Sequence, residues 1–299
     1  MAHWRPLLGS AIVDSKGERN DLVTRADGEI EGLVRGFLLR LRPGDRIVGE
    51  EGAAALEVSD HPAAEALASS LSPLTRARLA AAAPGPLEWH VDPIDGTANF
   101  VRGIEHHCFS IGAARAGGGG GSGSGGNPAD AHWEAGLVAA PELGSVWFAR
   151  AGAGAWKARG PRGLPGGWVR WDPAASRLRA RDRGQGGRIV ATGFGYAPER
   201  RELQLREFAA IMAGYDDARR MGSAALDLCQ VAEGRVSAYY ERGLGVYDWA
   251  AGALIAQEAG AAVRRPRSRS DMLIAAGARE DVGAAAQLAA IAGAAESLQ

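Results

Sequence analysis

Asp92 and Asp95 stand three residues apart in Trp89-His90-Val91-Asp92-Pro93-Ile94-Asp95-Gly96-Thr97-Ala98-Asn99-Phe100. Two carboxylates at that spacing, followed at once by glycine and threonine, suit phosphoryl transfer. Hard divalent cations take oxygen ligands, and one carboxylate can bridge two ions. The Gly96-Thr97 backbone N–H groups, at a helix start, suit a phosphate oxygen. A bare Asp-Pro pair is ordinarily a turn with a capping aspartate. The full string Asp-Pro-Ile-Asp-Gly-Thr is far more specific.

Other carboxylates share this form of strand end or loop, acid, and often helix start. Glu50-Glu51 ends the strand-like Ile47-Val48-Gly49, and its ordinary reading is a pair of solvated loop glutamates. Asp248 follows Tyr247 where a helix should begin. Asp27 lies three positions after Thr24, a weaker variant of the capping box. His106 and His107 are adjacent, and neighbours in a strand point to opposite faces, so they read as structural. Cys108 and Cys229 are isolated from each other and from any metal-type pair, which suggests reduced thiols.

These acids need a frame. Ile12-Val13 reads as a brief strand. Ile30, Leu33, Val34, Phe37, Leu38 and Leu41 recur at helical spacing up to Pro43-Gly44. Residues 53–83 read as one or two short helices or a flap. The apolar lead into Asp92 should be a strand that stops at Pro93, which lacks an N–H. Strands are expected at 109–114, 135–139, 144–149 and 155–157, with the tryptophans of this part packing the sheet. Gly117 to Gly126 is a low-complexity run expected to be a flexible hairpin tip. A strand at 188–194 precedes a helix over 199–212, with Leu203, Leu205, Phe208 and Ile211 on its apolar side. Ser223 should cap a helix ended by Gly234. A strand at 237–241, a helix from Tyr247 to Gly260, a strand at 272–276 and an Ala-rich helix complete the chain. Helices and strands interleave but several strands run consecutively, so the sheets should be mixed.

The 299 residues suffice for one large layered domain. The net charge is −1, with both signs interspersed, and the only lysines are Lys16 and Lys157. No nucleic-acid footprint and no polybasic membrane patch is present. No apolar run reaches the roughly 20 residues of a membrane span. Met1 to Gly9 has no long apolar core, so no signal peptide is expected and the protein should be cytoplasmic.

The segments Val23-Thr24…Asp27, Gly49-Glu50-Glu51, Asp92 to Thr97, Thr192-Gly193-Phe194, Gly222-Ser223-Ala224, Tyr239-Tyr240-Glu241 and Asp248 to Gly260 occur in the order of the inositol monophosphatase family. The resemblance covers Asp21 to Gly260, most of the chain. It implies an α/β fold of mixed sheets, a layered α/β/α/β/α sandwich shared with fructose-1,6-bisphosphatase. The whole chain, 1–299, would be one such domain, with 117–128 as a flexible Gly/Ser-rich insertion. By resemblance Glu50, Asp92 and the Ile94 carbonyl would hold one Mg2+. Asp92, Asp95 and Asp248 would hold a second, and a third, weaker ion would sit near Glu50. Thr97 and Asp27 would orient the attacking water and take its proton. Asp95, Gly96, Thr97, Gly222, Ser223, Ala224 and Glu241 would hold the phosphate and the polyol. The ordinary alternative for Glu241 is a strand-end charge paired with Arg242 or Arg220.

The implied activity is Mg2+-dependent hydrolysis of a small polyol phosphate, first of all myo-inositol monophosphate, by in-line attack of a metal-activated water. Histidinol phosphate, fructose 1,6-bisphosphate and adenosine 3′,5′-bisphosphate are the alternatives within the superfamily. A silent binding protein that keeps the fold is the alternative outside it. A homodimer and lithium inhibition are expected as family traits, with no nucleic-acid or membrane partner. Three features depart from the family pattern. Only about twenty residues precede Val23-Thr24, where a long first helix is expected. Tyr247 replaces the usual Trp, and the segment after Gly260 is shorter than usual.

Overall fold

Two mixed sheets hold the apolar strands, with helices before, between and behind them. The computed structural model describes residues 13–15, 22–50, 62–81, 85–115, 127–160, 176–184, 186–195 and 197–298. The expectations on Ile12, Asp21, Glu51, the Gly-rich run and Trp171 lie outside the described residues.

The chain opens with β1 (Val13–Ser15), β2 (Leu22–Thr24), α1 (Arg25–Leu41) and β3 (Arg46–Gly49). Two short helices, α2 (Pro62–Ser70) and α3 (Pro73–Ala80), follow. Each begins at a proline, whose missing N–H costs nothing in a first turn. Then come β4 (Leu87–Asp95), α4 (Thr97–Val101), β5 (Cys108–Arg115), β6 (Trp133–Ala140), β7 (Ser145–Arg150) and β8 (Gly154–Arg159). The second half runs β9 (Ile189–Thr192), α5 (Pro198–Met212), β10 (Asp217–Arg219), α6 (Ala224–Ala232), β11 (Ala238–Arg242) and α7 (Val246–Glu258). It ends with β12 (Ala262–Arg264), β13 (Met272–Ala276) and α8 (Ala284–Glu296).

The first sheet has the order β3-β4-β5-β6-β7-β8, with β3 parallel to β4 and the rest antiparallel. The second has the order β10-β9-β11-β13-β12, with β9 parallel to both its neighbours and β13 antiparallel to both of its own. α1 packs on β4, α6 and α7 touch both sheets, and α8 covers β12 and β13 beside α5. This is the expected α/β/α/β/α layering.

The middle layer explains the composition of α7. Trp249 through Ala256 are all buried, as a helix between two apolar sheet faces requires. Gly112 and Gly136 let it approach closely: a Cβ at Gly112 would lie 2.8 Å from that of Ala250, and one at Gly136 2.9 Å from Ala251. Trp133 and Trp249 meet edge to face at 5.5 Å in this core. Trp147 is buried with its indole N–H donating to Glu233, so these tryptophans pack the sheet.

Three expectations change. β4 does not stop at Pro93 but continues to Asp95, with one extra residue between the pairs Asp92–Ser110 and Asp95–Cys108. A bulge absorbs the missing proline N–H, as sheets usually require. The apolar stripe of α1 is only half-buried, and its fully buried positions are Ala26, Asp27, Glu31, Gly32 and Gly36. In α5, Leu205 is 53% exposed, while Gln204, Glu207 and Ile211 are buried. The polar inner face of α5 has partners: Glu207 pairs with Arg242 at 2.6 Å, and Gln204 Nε2 donates to the Arg242 carbonyl at 3.0 Å.

Candidate active site

The Asp92 bulge lies at one end of the six-stranded sheet. Parallel pairing of β3 with β4 places Gly49 beside Val91, and the Glu50 N–H adds one more rung to the Val91 carbonyl at 3.2 Å. Glu50 therefore leaves its strand next to Asp92. Asp92 folds back on its own turn, where its Oδ1 accepts from the Ile94 N–H at 3.0 Å. Gly96 follows at φ +92°, a left-handed conformation that favours glycine. It begins α4, which has only five residues. The Asn99 and Phe100 N–H groups donate to the Gly96 carbonyl at 2.9 and 3.0 Å, and the Thr97 and Ala98 N–H groups at the start of the helix have no carbonyl a turn earlier within it. The Thr97 hydroxyl donates to the Ile94 carbonyl at 3.0 Å.

Asp95 reaches the second half of the chain. Its Oδ2 accepts from the Ser223 hydroxyl and from the Ala225 N–H, both at 2.7 Å, and its Oδ1 accepts from the Ala224 N–H at 3.3 Å. Ser223 is the N-cap of α6. Asp95 thus clamps the end of β4 to the start of α6, which uses most of the acceptor capacity of Oδ2. Asp248 enters from the first turn of α7, where its Oδ2 accepts from the Gly245 N–H at 2.5 Å.

Glu50, Asp92, Ile94, Asp95, Gly96, Thr97, Gly222, Ala224, Glu241 and Asp248 line one cavity of about 610 Å³. Ser223 is buried behind its wall, hydrogen-bonded to Asp95. Asp27 is buried in the first turn of α1, close enough to Asp92 to disfavour its charge. Among the described residues, no group of three or more His, Cys, Asp or Glu side chains stands close enough to hold a single ion as placed. The acids line a shared wall, and like charges in one cavity repel one another.

The electrostatics follow from that arrangement. Burial raises Asp92 well above the usual carboxylate range, and the charges of Glu50, Asp95, Asp248 and Asp27 raise it further. Asp248 is raised well above that range by burial, then by Glu50 and Asp95. Asp95 is pushed up to about 6 by burial, against the opposing pull of the Ser223 and Ala225 donors. Glu241 is pushed up to about 7 by burial, opposed by its hydrogen bond from the Tyr239 hydroxyl at 2.6 Å.

Glu241 is not paired as its ordinary alternative supposed. Arg242 turns to Glu207, and no Arg220 ion pair to Glu241 is present among the described residues. The Glu241 carboxylate instead lies over Gly193, where any Cβ would overlap it. His107 is buried with Nδ1 against the Ile104 carbonyl at 2.9 Å, and His106 lies 3.7 Å from Asp227. Both cysteines are free and buried. Tyr239 was missed as the partner of Glu241, although a two-residue spacing along a strand puts both on one face. Arg220, named above only as a pairing partner for Glu241, also lines the cavity, as do Arg200 and Arg269, which no motif marks. No helix among the described residues is long and apolar enough to cross a membrane.

Comparison with known proteins adds an independent line. The model of a family described as "Inositol monophosphatase family" matches residues 5–298. Inositol-1-monophosphatase SuhB of Mycobacterium tuberculosis is 38% identical over 257 residues, covering 85% of this chain and 72% of that protein. Nus factor SuhB of Vibrio cholerae is 31% identical over 245 residues, covering 82% of this chain and 72% of that one. The solved structure of Mycobacterium tuberculosis SuhB aligns with a TM-score of 0.61 at 35% identity, over 91% of this chain and 85% of that chain.

Proposed function

Because this chain belongs to the inositol monophosphatase family, we propose that it is a Mg2+-dependent phosphomonoesterase of small polyol phosphates, with myo-inositol monophosphate as its first substrate. The observation that carries the reading is the convergence of Glu50, Asp92, Asp95 and Asp248, from segments far apart in sequence, on one cavity. Buried acids held together against their own repulsion need a positive counterpart. An all-oxygen donor set fits magnesium better than a soft metal.

In this proposal Glu50, Asp92, the Ile94 carbonyl, Asp95 and Asp248 hold two to three Mg2+ ions. Oδ1 is the Asp95 oxygen with capacity to spare, since Oδ2 is engaged by α6. Bound magnesium supplies charge neutralisation at the phosphate and a more acidic water. The backbone N–H groups at Gly96 and Thr97 receive phosphate oxygens. The Thr97 hydroxyl leaves the Ile94 carbonyl to orient the nucleophile, and Asp27 accepts the proton that Thr97 relays. Glu241, held by Tyr239, accepts from a substrate hydroxyl, beside a wall formed by Gly222, Ser223 and Ala224. Lithium inhibition, a homodimer and a cytoplasmic location belong to the same reading.

The test is phosphate release with added Mg2+ from myo-inositol 1-phosphate, histidinol phosphate, fructose 1,6-bisphosphate and adenosine 3′,5′-bisphosphate. Turnover of inositol 1-phosphate supports the assignment. Turnover of histidinol phosphate without inositol 1-phosphate overturns the substrate. A second reading, a silent binding protein, draws on the relatives named Nus factor. It gains if no ester in the panel is hydrolysed. The retention of every cavity carboxylate weighs against it, since a silent site has no need of clustered buried charge.

A further inference from the structure

We propose that Asn99 is a positioning residue for the reaction: its side-chain amide fixes the spacing between the phosphate-receiving turn at Gly96 and Thr97 and the polyol wall at residues 222–224. This rests on the phosphatase reading above and deepens it by naming the group that registers the two halves of the substrate against each other.

Asn99 is buried in the middle of α4, at 9% exposure. Its Nδ2 donates to the His106 carbonyl and to the Met221 carbonyl, both at 2.7 Å. A primary amide nitrogen carries two hydrogens, and both are engaged here. The two carbonyl oxygens also fix which way the amide points, since only its nitrogen can face them. One partner follows Asn99 by seven residues, and the other lies 122 residues away, directly before Gly222. α4 has five residues, too few to hold its place by helix formation alone. Asn99 therefore ties this turn to the second half of the chain.

The contacts around that amide are tight. A Cβ on Gly96 would stand 3.0 Å from the Gly222 carbonyl and 3.2 Å from the His106 carbonyl. A Cβ on Gly222, where φ is +87°, would stand 3.1 Å from Asn99 Nδ2. The two glycines bring turn and wall together at backbone distance, and the amide locks them there. Asp95 joins β4 to α6 nearby, but its carboxylate belongs to the proposed metal set. Asn99 is not among the described residues that line the cavity, so it acts on substrate only through the backbone it holds. A reacting group displaced by about 1 Å can lose about a hundredfold in rate. An ester gripped at both ends feels such a displacement, whereas one gripped only by its phosphate settles on the turn regardless of the wall.

The experiment measures kcat and KM with Mg2+ for Asn99→Asp and Asn99→Ser on two esters. One is the ester of the panel above that the wild type turns over fastest. The other is p-nitrophenyl phosphate, which has no hydroxyl for the wall. Asn99→Asp keeps the shape but sets a carboxylate oxygen against two carbonyl oxygens, and Asn99→Ser is too short to reach both. For the panel ester kcat/KM should fall by about a hundredfold, mainly through kcat, and for p-nitrophenyl phosphate by less than about tenfold. Mg2+ affinity should stay within about threefold of the wild type, since the Asn99 amide bonds to none of the cavity acids. An asparagine that only stabilised the fold would slow both esters by the same factor. Equal losses on the two esters, or unchanged turnover of both, overturn the proposal. Should Asn99→Asp fail to fold, Asn99→Ser decides alone. Should the wild type hydrolyse no ester at all, the phosphatase reading has failed, and this proposal falls with it.

Discussion

Glu207 and Asp92 are both withdrawn from water, at 0% and 2% exposure, yet their surroundings differ in kind. Glu207 meets a guanidinium: Arg242 Nη2 lies 2.6 Å from Oε1, and Gln204, one helical turn earlier, ties α5 to the same strand end. Asp92 meets the charges of four other acids, Glu50, Asp95, Asp248 and Asp27. The first arrangement satisfies a buried charge from within the chain and holds α5 on β11. The second leaves a concentration of negative charge at the ends of β3 and β4 and at the start of α7. A fold tolerates that only where something other than stability is served. The two acids therefore separate scaffold from chemistry, and substitutions at each should fail differently.

The largest expected effect is on turnover at the cavity. Asp92→Asn should lower kcat by about a thousandfold or more, the loss expected when several kcal/mol of transition-state charge stabilisation are removed. The metal-free variant should melt at a higher temperature than the metal-free wild type, because one repelling charge is gone. Phosphate release and thermal melts read the two outcomes, and near-normal turnover would refute the ligand assignment. At the scaffold the signs reverse. Glu207→Ala should cost about 3–5 kcal/mol of stability by leaving Arg242 buried without its partner. Denaturant titration measures it, and replacing Arg242 by Met in the same chain should recover much of the loss.

A smaller effect is expected at the Thr97 hydroxyl. Thr97→Val should reduce kcat by about 10- to 100-fold, while Thr97→Ser retains most activity. Equal losses in both would point to packing and away from proton relay.

The contrast also predicts a pH dependence. Asp95 near 6 and Glu241 near 7 sit above the ordinary carboxylate values of an unfolded chain. Between those ordinary values and about 7 the native state therefore holds more protons than the unfolded state, so stability falls as pH rises through that window. The metal-free protein should melt a few degrees higher at pH 5 than at pH 8. Added Mg2+ should raise the melting temperature more at pH 8 than at pH 5. A metal-free protein that is more stable at pH 8 would remove the electrostatic account. The smallest effect should come from Tyr239→Phe, which frees Glu241 of its hydroxyl donor and should raise KM by about fivefold with little change in kcat.

Much of this was legible in the residues, and what was not has physical reasons. The Asp92–Thr97 string is local, so its turn chemistry and the helix start at Thr97 follow from its own residues. Asp248 was readable as the acid in a helix's first turn. The clamp of Asp95 onto Ser223 and Ala225 was not, because it spans 128 and 130 residues. Pro93 misled because a missing N–H ends a ladder only when no bulge absorbs it. Leu205, expected on the apolar side, faces solvent while Glu207 is buried, since hydropathy cannot foresee that an acid will find Arg242 across the fold. β10 and β12 have three residues each, too few for any alternation to register. The arginines of the cavity wall carried no motif.

The most direct test of the central claim is Mg2+ binding itself, measured by calorimetry on the metal-free wild type and on Asp92→Asn without any substrate. Cavity acids that form a divalent-cation site predict saturable binding of at least two ions per wild-type chain. The folded variant should lose at least one of them, or bind about tenfold more weakly. A wild type that binds no Mg2+, or a variant that binds it as the wild type does, would contradict the account.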